Sequence, residues 1–110
     1  MPLTPAQEDL ADRVRAALPE GAEVREVRMF GGLSFMVDGG LAVSAGKDGG
    51  LLVRVEEARY DDLVERPGAR EAVMGSTSMS PGWLLVDAHG LASDDDLAFW
   101  IAESLRRPSR

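Results

Sequence analysis

The sequence contains no cysteine. Disulfides, thiolate catalysis and cysteine-ligated zinc are therefore excluded, and the absence suits a cytoplasmic protein. There is a single histidine, His89, too little material for a transition-metal centre. No run of about 18 apolar residues occurs, so no membrane-spanning helix and no membrane partner is expected. The opening Met1-Pro2-Leu3-Thr4-Pro5 lacks the basic and apolar regions of a signal peptide. Positive charge is also scarce: 12 basic against 19 acidic side chains leave a net charge of −7. Affinity for a duplex comes largely from neutralising phosphates, so direct nucleic-acid binding would need a local basic patch built against the chain's own field, and it is disfavoured.

The chain has 110 residues, of which 45% are hydrophobic. That is enough for one core, and a single domain over residues 1–110 is expected. Thr4-Pro5-Ala6-Gln7 reads as a helix start: Thr4 caps, Pro5 takes the first helical position, and Gln7 completes a capping box. Leu10, Val14, Ala17 and Leu18 then form one apolar stripe, with Arg13 and Arg15 off it on the solvated side. Residues 22–30 read as a strand of mixed parity, either half-buried on both faces or bulged. Leu33, Phe35 and Val37 alternate cleanly, Asp38-Gly39-Gly40 signals a hairpin, and Leu41, Val43 and Ala45 form the next inward face. After a second tight connection, Leu51, Val53 and Val55 continue the meander, with Arg54 on the opposite face. A second helix is expected over residues 56–66, stopped by Pro67-Gly68, and a short helical turn over residues 69–74. A short strand is expected within the polar run 75–82. Trp83-Leu84-Leu85-Val86 is a strand apolar on both parities, hence central or covered on both faces. Asp87 to Gly90 is a turn, and Ser93 caps a last helix whose first turn holds Asp94, Asp95 and Asp96. The order is α-β-β-β-β-α-β-β-α: an α+β fold, with an antiparallel sheet of five or six strands and helices mainly on one face.

Motifs that could carry chemistry fail in detail. Gly46-Lys47 lacks the first glycine and the hydroxyl residue of a phosphate loop, and Asp48 would repel phosphate. Asp87 and His89 have nearby serines but no nucleophile elbow. The three aspartates after Ser93 read as helix capping, because a calcium loop needs spaced ligands and a central glycine. No catalytic residue, metal ligand or cofactor site is assigned, and the chain is not expected to be an enzyme. Arg28 and Arg54 lie in strands. They either pair across strands with Glu26 or Glu56 or present cations to an anion or a partner. Met29, Met36, Met74 and Met79, with Phe30 and Trp83, either fill the core or form an adaptable patch.

The stretch Val27-Arg28-Met29-Phe30-Gly31-Gly32-Leu33-Ser34-Phe35, with Val37-Asp38-Gly39, Leu51 to Val55, Met74-Gly75 and Gly82 to Val86, resembles the N-terminal domain of the TfoX/Sxy proteins. The likeness covers roughly residues 8–107. It implies a fold of the secretion-chaperone kind and a regulatory role. Full-length members are linked to natural competence, acting as co-regulators with the cyclic-AMP receptor protein. They carry a second, helical domain, whereas this chain ends after its last helix and is read as a stand-alone N-terminal domain. The family supplies no catalytic residues to carry over.

The leading reading is a non-enzymatic regulatory module that binds a protein partner, with homodimerisation as one version. Its candidate surface is Arg28, Met29, Phe30, Gly31, Gly32, Phe35, Arg54 and Trp83, an arginine and aromatic set of the kind found at interface hot spots. The alternatives are nucleic-acid binding through converging arginines, and a small enzyme or ligand binder with Arg28, Arg54 and a carboxylate in one deep pocket.

Overall fold

The computed structural model describes residues 3–29, 32–74, 77–78 and 82–106. Its elements in order are α1 (Pro5–Ala17), β1 (Val24–Met29), β2 (Gly32–Val37), β3 (Gly40–Ala45), β4 (Leu51–Arg54), a 3-10 turn (Glu57–Arg59) leading into α2 (Tyr60–Leu63), β5 (Ala69–Glu71), β6 (Val73–Met74), β7 (Thr77–Ser78), β8 (Trp83–Val86), a 3-10 turn (Ala88–Leu91) and α3 (Asp94–Ser104). Six strands form one antiparallel sheet in the order β1-β2-β3-β4-β8-β5, and β6 and β7 pair separately. The fold is α+β with three helices, as the sequence pattern predicts.

Local chemistry sets the element ends. The Thr4 hydroxyl accepts from the Gln7 N–H while the Gln7 side chain accepts from the Thr4 N–H, a complete capping box. The Gln7 amide also donates to the Ala45 carbonyl at 2.9 Å, so the cap ties α1 to β3. Ser93 caps α3 by accepting from the Asp96 N–H. The β2–β3 turn has both central residues at positive φ, Asp38 at 51° and Gly39 at 86°, the twist a two-residue hairpin needs.

One face of the sheet carries the core. Leu33, Phe35, Val43, Ala45, Leu51, Val53, Leu84 and Val86 share it, and α1 (Leu10, Ala11, Val14), α2 (Leu63) and α3 (Leu97, Trp100, Ile101) pack their apolar residues into the same cluster. α1 and α3 also pack on each other. β1 pairs with β2 without interruption, so its mixed parity reflects two half-buried faces and no bulge. The bulge lies instead between β2 and β3, where Phe35 opposes Val43 and Met36 opposes Leu41. The extra residue carries Leu41 away from the core face that simple alternation gives it.

Two further expectations are corrected, and a third is extended. Residues 69–74 form strands, because residues 69–71 find a pairing partner in β8. The second helix shortens to a 3-10 turn and one α-helical turn. Arg13 and Arg15 do lie on the solvated side, half-exposed and exposed, but they are more than solvated charges: Arg13 donates to the Leu91 carbonyl at 2.7 Å, and Arg15 grips Glu26 in a fork with both distances 2.7 Å. On the far side of the core, Arg59 makes a second fork to the buried Glu103 at 2.8 and 3.0 Å. β8 is central, between β4 and β5, but its alternating burial leaves Trp83 and Leu85 half-exposed on the second face.

The Arg15 fork makes a measurable prediction. Its hydrogen bonds hold the Glu26 carboxyl below the ordinary glutamate range; burial, the next largest effect, opposes them, and the Arg15 charge adds a smaller lowering. A lowered native value stabilises the fold above the unfolded-chain value and loses that stabilisation as pH falls through the native one. Urea melts from neutral pH down to below about pH 4.3, the ordinary glutamate value, will therefore show a shallower acid loss for Arg15→Ala than for the natural chain.

Candidate functional site

Among the described residues no helix packs on the second face of the sheet, which is the open one. Strand register arranges its side chains in two rows running across the strands. One row is Arg25, Met36, Leu41, Arg54 and Trp83, from β1 to β8. The other is Val27, Ser34, Ser44, Leu52, Leu85 and Arg70, from β1 to β5. Ser34 and Ser44 are buried between larger neighbours and bond to each other, oxygen to oxygen, at 3.0 Å. Met36, Leu41, Leu52, Trp83 and Leu85 are half-buried.

Arg54 and Trp83 are direct cross-strand partners. They form a ridge between two concavities. One, about 380 Å³, runs to Asp38, Gly39, Gly40 and Leu41 in the β2–β3 turn. The other, about 180 Å³, runs to Glu56, Glu57, Gly82 and Arg106. Two of the three carboxylates bordering the ridge are occupied, and Glu57 is exposed. Asp38 Oδ1 accepts from the Glu23 N–H at 3.1 Å, and Glu56 holds Arg106 at 2.8 Å. Glu26 is held by Arg15. Among the described residues the Arg54 side chain has no hydrogen-bond or ion-pair partner, and neither has Arg25.

The candidate residues named from sequence do not form one surface. Arg54 and Trp83 come together. Arg28 stands opposite Leu33, on the helix-bearing side of β1. Phe35 is fully buried in the core, so it is not part of an exposed patch. Gly32 has a packing role: a Cβ there would lie 2.7 Å from the Ala45 carbonyl oxygen and 2.8 Å from Ser44 Oγ, so only glycine allows this approach of β2 to β3. Met29 belongs to β1, but its side chain, like all of Phe30 and Gly31, lies outside the described residues. Arg25, Leu41, Leu52, Leu85 and Arg70 were not singled out. Their signal was present as the off-core parity of strands whose core parity was already assigned, except at Leu41, which the bulge moves.

Other chemistry is placed as follows. Lys47 and Asp48 build the β3–β4 turn: the Lys47 carbonyl accepts from the Thr4 hydroxyl, and Asp48 Oδ1 accepts from the Gly50 N–H. Asp87 caps the 3-10 turn at the Gly90 N–H, and His89 is exposed. Among the described residues no three His, Asp or Glu side chains are grouped to hold a metal ion. No described helix is long and apolar enough to cross a membrane. A larger concavity, about 490 Å³, lies along the α1–α3 seam among Ala16, Ala17, Leu97 and Ala98. Arg13 in its wall is committed to the Leu91 and Ser93 carbonyls.

Arg28 and Arg54 lie on opposite faces, so the single pocket combining them with a carboxylate does not exist. What the open face offers is a half-buried apolar surface crossed by arginines. No curated protein and no solved structure matched the chain. The family model of the TfoX N-terminal domain matches residues 16–107, and the chain belongs to that family.

Proposed function

We propose that this domain is a non-enzymatic regulatory module that binds a protein partner on the open face of its sheet, with Arg54 and Trp83 as the anchor. Arg54 carries the reading. It is half-buried beside an aromatic ring, yet no group among the described residues bonds its side chain. A desolvated cation without a partner is unfavourable in the free domain and becomes useful when a second molecule brings the missing acceptor. Arginine beside tryptophan, ringed by aliphatic side chains, is also the composition of interface hot spots. Family membership supports a regulatory role, and a co-regulator of competence transcription is the form it suggests.

Arg54→Ala tests the assignment. Partner capture from the native host will be lost while the melting temperature stays within a few degrees of the natural chain, as for surface positions generally. Loss of both together would make Arg54 structural and end the proposal.

A further inference from the structure

We infer that the partner segment taken by the open face is acidic and amphipathic, an approximately helical stretch lying across the strands. The inference rests on the open face being the docking surface and adds the chemistry of what docks there.

The carrying observation is an absence of carboxylates. In a chain with 19 acidic and 12 basic residues, the two rows of the open face hold no aspartate or glutamate and three arginines. The six strands hold two acids, Glu26 and Glu71, in the two edge strands, and both project to the helix-bearing side, opposite Phe35 and Leu84. Among the described residues the side chains of Arg25 and Arg54 have no partner, and Arg70 has Asp87 alone, at 3.7 Å. Net charge therefore misdescribes the two rows, which are cationic and apolar, with Asp38, Glu56 and Glu57 confined to the rim beyond Arg54 and Trp83.

Geometry narrows the occupant. Strands lie about 4.8 Å apart, so Arg25 and Arg54, three strands apart, are separated by roughly 14 Å, and the sheet from β1 to β5 spans roughly 24 Å. That span fits about 16 residues of helix. Between Arg25 and Arg54 lie Met36 and Leu41, and Leu52 and Leu85 continue the apolar floor in the neighbouring row toward Arg70, a floor for an apolar helix stripe. A second copy meeting face to face would oppose arginine to arginine. A nucleic-acid strand would leave most of its closely spaced phosphates unanswered, and Trp83 is the only aromatic in the two rows, where single strands use several stacking rings. Sparse carboxylates on an apolar helix match both the charge spacing and the floor.

The test uses the full chain and three fluorescein-labelled probes: an amphipathic helix of about 16 residues with a glutamate-rich polar face, the same helix with lysines in their place, and an oligo-dT of equal length. Anisotropy is read at low and moderate salt, with the tryptophan emission as a local reporter of Trp83, the core residue Trp100 giving a background away from the open face. The acidic helix is expected to bind and to shift the Trp83 emission, with the other two probes weaker by at least about tenfold. Arg54→Glu should weaken the acidic helix by at least about tenfold at an unchanged melting temperature. Equal or tighter binding of the lysine helix or oligo-dT, still lost in Arg54→Glu, would overturn the acidic chemistry and leave the docking surface standing. Failure of the acidic helix to saturate by about 1 mM overturns the inference. Binding indifferent to Arg54→Glu and silent at Trp83 overturns the inference and the docking surface together.

Discussion

Gly68→Ala will lower the unfolding free energy by about 3 kcal/mol, a loss of roughly 10–20 °C in melting temperature for a domain of this size. Two costs combine at this position. Gly68 sits at φ +81°, where a side chain is strained. A Cβ added there would also lie 2.6 Å from both the Cα and the N of Gly90, and 2.7 Å from Asp87 Oδ1. These neighbours have little freedom to yield. Gly90 is itself wedged against the Pro67 carbonyl and the Val86 side chain, and its N–H is held by Asp87. The contact joins the end of the α2 segment to the turn that launches α3, so crowding it pushes two core elements apart. Gly39→Ala supplies the comparison. Gly39 has nearly the same φ, +86°, but nothing lies within 4 Å of its would-be Cβ. Its cost should be backbone strain alone, about 1 kcal/mol. Urea melts of the two variants separate strain from crowding, and equal losses would mean that the Gly68–Gly90 contact contributes nothing.

That contact joins positions 22 residues apart, and no periodicity or turn signal announces it. The same division runs through the rest of the fold. The capping box at Thr4 and Gln7, the Asp38-Gly39 hairpin and the Ser93 cap are local devices, complete within a few residues, and they could be read directly. Core parity was legible wherever alternation was unbroken, as along Leu33, Phe35 and Val37. It failed at Leu41, because a bulge is a decision made by two strands together. Residues 69–74 are good helix formers that became strand because β8 offers an edge to residues 69–71 and β7 pairs with residues 73–74. Arg28 and Arg54 looked alike as strand arginines, and only the register separated them onto opposite faces. The site was therefore half legible: the Arg54 and Trp83 anchor could be named, but the face that surrounds it needed the strand order.

The separation of faces gives the other large expected effect. Phe35→Ala will cost about 3–5 kcal/mol, against about 1 kcal/mol or less for Trp83→Ala, although the two aromatics were candidates for the same surface. Phe35 is fully buried, opposed by Val43 on β3, with the Arg15 guanidinium 6.0 Å from its ring centre. Truncation leaves a cavity beneath α1 and removes the surface over which Arg15 reaches Glu26. Trp83 is half-buried on a face against which no described helix packs, so water replaces much of what its ring covers. Small domains have only about 5–15 kcal/mol of stability, so Phe35→Ala will be substantially unfolded in mild urea where Trp83→Ala is native. Partner binding then distinguishes the two positions. Phe35→Ala should lose binding only in proportion to its unfolded fraction, recovering it in a stabilising osmolyte, whereas Trp83→Ala should lose binding while fully folded. Loss of binding by folded Phe35→Ala at full Trp83→Ala affinity would move the recognition surface to the helix-bearing side, where Arg28 already stands.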